Sequence, residues 1–451
     1  MPSVSRLREL GLFDARAPRY TSYPPANHFA NDVTSETTAA WIRAIKPGAR
    51  ISLYVHIPYC RRLCWFCACR TQGTTTDRPL VPYLQQLKDE LALIDAQLPQ
   101  DVVIGQIHLG GGTPTLLPPH MLLALGDSLR GLRTEADNLQ FSVEIDPTEV
   151  DQARVDALMD IGMTRASIGV QDFDPLVQKS IGRIQSFDLT NDVVDMLRRA
   201  GVNSLNMDVL YGLPHQTKSR MTDSVQKVLS LTPDRVALYG YAHVPWMAKR
   251  QVMIPADALP DAEERLELFD TARRLFKWDG YREIGIDHYA REGDSLADAD
   301  RTKTMRRNFQ GYTDDNSDVL IGLGASAISR YPQGYAQNLS ASSKYAKVIE
   351  GGHLATERGH TMTDEDQLRA AMIEMIMCRF ELDLAELSDR FSEPITALRE
   401  RTQALRDRLG EFIETRGDVI RITESARLIA RIAAQELDGY VMPEGRHSRA
   451  M

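Results

Sequence analysis

The run Y-V-H-I-P-Y-C-R-R-L-C-W-F-C-A-C-R-T-Q, Tyr54 to Gln72, holds four of the chain's five cysteines: Cys60, Cys64, Cys67 and Cys69. It follows directly on alternating β-type residues, Ile51 to Ile57, so the thiols occupy a loop at the end of a strand. Three thiolates spaced C-x3-C-x2-C wrap one corner of a cubane cluster, whose irons prefer soft sulfur ligands, and leave one iron without a protein ligand. A structural zinc needs four closed ligands, usually as two C-x2-C-type pairs, and no second pair exists. The remaining cysteine, Cys378, lies far downstream in an apolar helical stretch and reads as a core thiol.

Outward from this loop, short β-rich runs alternate with amphipathic stretches about every 30 residues. Strands are expected at Ile51–Ile57, Val102–Leu109, Leu139–Glu144, Ala166–Val170, Ser204–Leu210 and Val236–Tyr241. Helices are expected at Pro82–Gln97, His120–Leu132, Val150–Ile161, Asp188–Ala200 and Met221–Leu229, then Asp261–Lys277 before a seventh run, Glu283–His288. Such alternation means a parallel sheet with right-handed crossovers; six to eight such units curl into a full or partial barrel, and a partial (β/α)6-type parallel barrel is expected here. The polar motifs fall at the strand ends: the cysteine loop after the first, G-G-G-T-P-T (Gly110–Thr115) after the second, Glu144, Gln171, Asp208 and Tyr241–His243 at the third to sixth. That rim is where barrel enzymes place their chemistry.

Beyond Arg291 the pattern breaks into a Gly- and Asn-rich stretch, Asn308–Asn338, whose G-L-G-A-S-A-I-S (Gly322–Ser329) reads either as a turn packed near a ligand or as a plain loop. Thr363 with Asp366 marks a helix start, and helices follow near Leu368–Phe380, Leu384–Phe391, Ile395–Leu409 and Ala426–Leu437. A hairpin, Phe412–Ile422, turns at Arg416-Gly417-Asp418. Helices with a short wing are a DNA-binding pattern, but from Asp383 to Met451 there are 11 Arg and no Lys against 13 Asp and Glu, which favours a cover over the barrel. Four parts are expected: an N-terminal extension (1–45) with one helix, Thr34–Ala44, a barrel (46–290), a connecting region (291–362) and a helical, winged-helix-like C-terminal part (363–451).

Apolar content of 43% and charge of 25% are ordinary for a globular chain, and a net charge of −9 argues against nucleic acid as the main partner. No apolar run reaches the membrane-spanning length of about 20 residues. The charged start lacks a signal peptide's apolar stretch, so a cytoplasmic protein with reduced thiols and no disulfide is expected.

The cysteine loop resembles that of the radical S-adenosylmethionine (SAM) enzymes. Together with P-R-Y-T-S-Y-P (Pro18–Pro24), Cys69, G-G-G-T-P-T, E-I-D-P (Glu144–Pro147), G-V-Q-D-F (Gly169–Phe173), D-V-L-Y-G-L-P (Asp208–Pro214), Y-A-H-V-P (Tyr241–Pro245) and N-F-Q-G-Y-T (Asn308–Thr313), it is similar to the oxygen-independent coproporphyrinogen III oxidases along most of the chain. The resemblance implies that Cys60, Cys64 and Cys67 hold a [4Fe-4S] cluster whose fourth iron is chelated by SAM, with Tyr54, Gly111 and Glu144 against that SAM. It further implies a second SAM near Phe66, Gly112, Thr113, Gln171, Arg183, Asp208, Ala242 and Ile328. In the family Cys69 is not a ligand; Ala68 and Arg70 stand where relatives often carry Gly and Asn.

The implied reaction converts two propionates of coproporphyrinogen III to vinyl groups by means of a 5′-deoxyadenosyl radical, giving protoporphyrinogen IX in porphyrin biosynthesis. It implies a flavodoxin-like reductant protein and an electron acceptor, with the enzyme a monomer. Arginines near the entrance, Arg19 among them, would grip the substrate's carboxylates. A rival within the superfamily is a chaperone that carries haem without oxidising porphyrinogen. Such relatives typically lack the P-R-Y-T-S-Y-P segment and a cysteine at the Cys69 position, and carry a histidine motif where this chain has Arg307-Asn308-Phe309.

Overall fold

The computed structural model describes residues 4–440 except 14 and 16. The last eleven residues of the expected C-terminal part, 441–451, lie outside the described residues. Six strands, β1 (Arg50–Ile57), β2 (Val103–Gly111), β3 (Thr134–Ile145), β4 (Arg165–Gln171), β5 (Ser204–Tyr211) and β6 (Arg235–Gly240), run parallel in chain order. Helices Leu80–Asp95, Pro119–Arg130, Gln152–Asp160, Phe187–Arg199 and Lys218–Ser230 make the crossovers. The α/β alternation is therefore as expected, with boundaries shifted by a few residues; β3 starts five residues earlier than its apolar run. The shorter helix Pro175–Ser180, between β4 and β5, has no sequence signal beyond its Asp174 cap.

The two faces of these strands differ in chemistry. Ile51, Leu53, Val55 and Ile57 of β1 are almost fully buried in the main core with helix residues Leu84, Leu87 and Leu91. The alternate residues, Ser52, Tyr54 and His56, turn to the other face, as strand geometry requires. Gln106 and His108, Ser142 and Glu144, Ser167, and Asn206 and Asp208 continue that polar face. A barrel interior is ordinarily filled by branched apolar side chains. Here it carries hydrogen-bonding groups, which fits a site rather than a packed plug.

Both edges of the sheet extend beyond the expected six strands. The run read as a single seventh strand is a hairpin, β7 (Arg282–Ile284) and β8 (His288–Ala290), in which β8 pairs antiparallel with β6. Gly285, at φ +57°, makes its turn. At the other edge β9 (Val319–Leu323) lies parallel to β1, followed by antiparallel β10 (Ile328–Tyr331), β11 (Gly334–Asn338) and β12 (Thr356–Thr361), twelve strands in all. The stretch expected to be loop is thus largely sheet. Its glycines sit where backbones approach closely: a Cβ on Gly322 would lie 2.8 Å from the Ile328 carbonyl oxygen, and one on Gly334 2.0 Å from that of His360.

In the C-terminal region Thr363 caps helix Asp364–Arg379 through a reciprocal pair with Asp366, as its sequence signature predicts. The expected helix Ile395–Leu409 is broken at Thr402, a buried residue whose hydroxyl donates to the Leu398 carbonyl (2.9 Å), leaving two short helices, Ile395–Arg401 and Gln403–Leu409. The last helix begins as a 3-10 turn, Glu424–Ile429, before Ala430–Glu436. The predicted hairpin, Ile413–Arg416 with Val419–Ile422, gains a third strand, Glu381–Asp383. Near the N-terminus Thr34 caps helix Ser35–Arg43, and a short helix, Val4–Glu9, precedes it. Residues 18–23 and 431–439 meet. Tyr20 donates to Asp438 (3.0 Å), the Gly439 amide donates to the Tyr23 hydroxyl (2.9 Å), and Arg431 donates to the Pro18 carbonyl (3.0 Å). Among the described residues no helix is long and apolar enough to cross a membrane.

Glu90 fastens the β9 edge to the barrel. It is 2% exposed on helix Leu80–Asp95 and accepts from the Gly324 amide (2.7 Å), Asn338 (2.6 Å) and the hydroxyl of Tyr345 on helix Ser342–Glu350 (2.7 Å). Burial outweighs these donors and pushes its carboxyl from 4.5 up to about 7. The folded protein therefore holds this proton more tightly than the unfolded chain: the stabilisation is full below about pH 4.5 and is lost as pH rises through about 7. This group should contribute a fall in stability of up to about 1.4 kcal/mol per pH unit across that window. Glu90→Gln should flatten the fall, as followed by denaturant unfolding at several pH values. An identical slope in the variant would refute the assignment.

Candidate active site

A cavity of about 180 Å³ opens at the carboxyl ends of the parallel strands. Its floor is polar because the inward face of the strands is polar, and its upper wall is the cysteine loop. Past β1 the chain pairs Tyr59-Cys60 with Gln72-Gly73, closing the loop at its base, and the Trp65 amide donates to the Ile181 carbonyl (2.9 Å). The Trp65 ring lies so close to Gly182, at φ +65°, that a Cβ there would come within 2.8 Å of it.

The cavity walls include Cys60, Cys64 and Cys67 with Phe66, Gly111, Gly112, Thr113, Glu144, Gln171, Arg183 and Asp208. The structure thus brings together eleven of the fourteen residues singled out from the sequence. Tyr54 stands behind the wall: its ring stacks on His108 (centroids 5.7 Å apart) and its hydroxyl lies 3.0 Å from His56 Nδ1. Ala242 and Ile328 lie outside the wall. The Ala242 carbonyl accepts from Gln251 Nε2 (3.1 Å), which also holds the Phe66 carbonyl (2.9 Å), and Ile328 begins β10. Cys69 lines the same cavity.

The three glycines act by what they lack. Two of their amides are already engaged within the fold, that of Gly111 with Glu144 Oε2 (3.0 Å) and that of Gly112 with the Ile57 carbonyl (2.8 Å). A Cβ on Gly110 would meet Glu144 at 2.9 Å, one on Gly111 would meet His56 at 2.6 Å, and one on Gly112 would lie 2.6 Å from the Tyr59 carbonyl and 3.0 Å from Cys60 Sγ. The missing side chains let the cysteine loop lie directly on the end of β2.

Charge is arranged in opposed pairs. Arg183 donates to Asp146 (3.2 Å), to the Gly169 carbonyl (2.7 Å) and toward Cys64 Sγ (3.5 Å), while its Nε has no partner among the described residues. Burial works against ionisation of Asp146, but the Arg183 cation and Thr148 more than offset it and hold the carboxyl below its ordinary range. Glu144 is likewise kept low despite burial, by His108 and the Gly111 amide. Asp208 differs: burial pushes its carboxyl up to about 6, with the Asn206 hydrogen bond (2.9 Å) a partial counterweight. Gln171 closes β4 in the left-handed region, at φ +69°, a conformation a non-glycine residue adopts at a cost of about 1–3 kcal/mol. Sequence reasoning missed Asp146, Arg250 and Gln251. Asp146 was within reach, since E-I-D-P carries it two residues past Glu144. Arg250 and Gln251 come from a 3-10 turn, Lys249–Met253, that has no periodic signal.

Among the described residues no three His, Cys, Asp or Glu side chains converge as the ligands of one metal ion do. Cys60, Cys64 and Cys67 instead share the wall of one cavity. A cubane cluster has width of its own and takes thiolates spread around it, so this donor set fits such a group. Burial pushes the Cys60 thiol up to about 11, so iron must displace its proton on binding. Gly112→Ala should strip most of the iron from the purified protein while its far-ultraviolet circular dichroism stays that of the parent. Unchanged iron content would show that the loop tolerates a side chain there.

The radical SAM superfamily model matches residues 54–228. The chain is 52% identical to the oxygen-independent coproporphyrinogen III oxidase of Paracoccus denitrificans over all of both chains, and 52% identical to that of Cereibacter sphaeroides over 98% of each. Among solved structures, the Escherichia coli coproporphyrinogen III oxidase HemN, a radical SAM enzyme, aligns with a TM-score of 0.90 at 33% identity, covering 94% of this chain and 98% of its own. With the cysteine loop, the polar barrel interior and this full-length similarity in agreement, the chain belongs to the oxygen-independent coproporphyrinogen III oxidases of the radical SAM superfamily.

Proposed function

We propose that the chain oxidatively decarboxylates two propionates of coproporphyrinogen III to vinyl groups, giving protoporphyrinogen IX. The observation that carries this reading is full-length identity to oxidases of that name, combined with a three-cysteine cavity at the barrel rim. When bound, a [4Fe-4S] cluster and SAM supply a 5′-deoxyadenosyl radical able to abstract hydrogen. Abstraction from the propionate β-carbon, loss of CO2 and transfer of one electron to an acceptor leave the alkene, and one deoxyadenosine forms per vinyl group.

In this reading Cys60, Cys64 and Cys67 are the cluster ligands. Glu144, held ionised by His108 and Gly111, presents negative charge to a cationic SAM beside Gly111, and Tyr54 supports it through His56 and His108. A second SAM beside the first would meet Phe66, Gly112, Thr113, Gln171, Arg183 and Asp208, with Ala242 and Ile328 at its edges. Arg183 offers that molecule's carboxylate an unsatisfied buried Nε–H, and Asp208 offers an acceptor for an amine or ribose hydroxyl. The polar layer beneath, Ser167 and Asn206 with Asp208, fixes that acceptor's orientation. An outside reductant protein of the flavodoxin kind would deliver the electron, and the enzyme would act as a monomer in the cytoplasm.

The test is anaerobic turnover of the reconstituted protein with SAM, a reductant, coproporphyrinogen III and a crude extract as electron acceptor, following porphyrins and 5′-deoxyadenosine by chromatography. Protoporphyrinogen and deoxyadenosine should form together and both vanish in Cys64→Ser. Haem binding without decarboxylation would overturn the oxidase reading in favour of a haem carrier. Glu144→Gln should weaken SAM binding roughly ten-fold or more, the order of a lost charge-assisted contact.

A further inference from the structure

A second and larger cavity, about 340 Å³, lies on the same face of the sheet as the cysteine site. Its position follows from register. Leu320 of β9 is the partner of both Ser52 of β1 and Arg330 of β10, while Gly322, two residues further on, is the partner of Tyr54. Leu320 and Arg330 line the cavity, and the Ser52 hydroxyl bonds Asp315, another of its walls. The cavity therefore begins two residues down the strand from the Tyr54 layer, roughly 7 Å away.

Four arginines line it, and two are already committed. Arg307 reaches Asp287 at 3.6 Å, donates to the Arg19 carbonyl (3.1 Å) and lies 4.4 Å from the Tyr312 ring centroid. Arg390 stacks on Phe391 at 5.0 Å. Arg306 and Arg330 are different. Each donates one hydrogen bond to the same acceptor, the Ser317 carbonyl, at 3.1 Å, from a strand (Arg306–Asn308) and from β10 respectively. Neither has an ion-pair partner among the described residues, although the acids Asp315, Asp318 and Glu374 also line the cavity. Two guanidiniums converging on one carbonyl, with their other donors left over, form a receptor for a carboxylate. Tyr20, Tyr23, Phe309 and Tyr335 supply aromatic walls alongside. Arg19, the candidate from sequence, instead donates to the Gly240 carbonyl at the end of β6.

We infer that Arg306 and Arg330 bind a propionate carboxylate of the tetrapyrrole substrate while another of its propionates lies at the cysteine rim. This inference rests on the reaction proposed above. Glu144 of the cysteine cavity stands level with Gly110 and His56, four residues along β1 from Ser52, so the two cavities' walls are about 13 Å apart along the strand. That span suits a macrocycle with a propionate on every ring whose pyrroles lie against the aromatic walls. The arginines take no part in bond breaking; they hold the ring in register.

Binding of coproporphyrin III, the oxidised fluorescent form of the substrate, and of its tetramethyl ester to the reconstituted full-length protein tests this directly. Arg306→Ala and Arg330→Ala should each weaken coproporphyrin III binding about ten-fold or more, and Arg330→Lys should restore part of the loss. The ester, without carboxylates, should bind parent and variants alike. Either alanine variant leaves the Ser317 carbonyl with its other donor, so thermal midpoints should stay near the parent's. In turnover, KM should rise while kcat stays within a few-fold. Parent-like coproporphyrin III affinity in both alanine variants overturns the assignment, as does decarboxylation with unchanged KM, and either result leaves the proposed reaction standing. Arginine-dependent binding in a protein that makes no protoporphyrinogen leaves the carboxylate site standing and removes the reaction.

Discussion

The close approach of the cysteine loop to the end of β2 is the contact on which the site depends. Gly112 donates to the Ile57 carbonyl and Thr113 to that of Tyr59 (2.9 Å), so the ladder between β1 and β2 continues past the last strand residues into the loop that carries Cys60. That continuation is possible only because no side chain stands between the two backbones at position 112. One group of polar side chains at the cavity is referred to this zipper. Glu144 is held by the neighbouring amide, His108 by Glu144 and Ser142, and Tyr54 by stacking on His108. The cysteines reach the cavity as a consequence of strand pairing, which the buried outer face of the barrel makes hard to shift.

The barrel was legible because two periodicities coincide in it. Apolar residues at alternate positions of β1 to β6 meet helices whose own stripes recur at helical spacing, and the polar residues left over point inward. The β9–β12 edge was not legible for the converse reason. Its strands are short, hold Gly322, Gly334 and Gly359 where another backbone crosses, and pair antiparallel, so their sequence looks like turns. Thr402 illustrates a smaller failure of the same kind. Nothing in the helical pattern from Ile395 onward announces that a buried hydroxyl will bond back to Leu398 and break the helix.

For the site, the residues readable in the sequence were those standing at strand ends, where a motif and a strand terminus coincide: the cysteines, Gly110 to Gly112, Glu144 and Asp208. The supporting cast was unreadable, because its members act across long gaps in the chain. Gln251 holds Phe66, Arg250 holds Thr71, and Asp146 holds Arg183, contacts that exist only once the loops are folded over the rim. The glycines stand at the end of the second strand, where the motif puts them, and there they make room for a neighbouring backbone. Arg306 and Arg330 carried no signal in the sequence, because their approach to one carbonyl exists only once their two strands are folded together, whereas Arg19, drawn from its motif, donates to the Gly240 carbonyl.

The meeting of residues 18–23 with residues 431–439 has a thermodynamic consequence. Tyr20 and Tyr23, which line the larger cavity, are held by Asp438 and Gly439, and Arg431 grips the carbonyl of Pro18 just before them. A segment near the start of the chain and one more than four hundred residues later therefore share one opening equilibrium. Releasing either costs the bonds of both, so they exchange with solvent as a single cooperative unit rather than independently. Part of the wall of the arginine-lined cavity belongs to that unit, and its rigidity is set by residues 431–439.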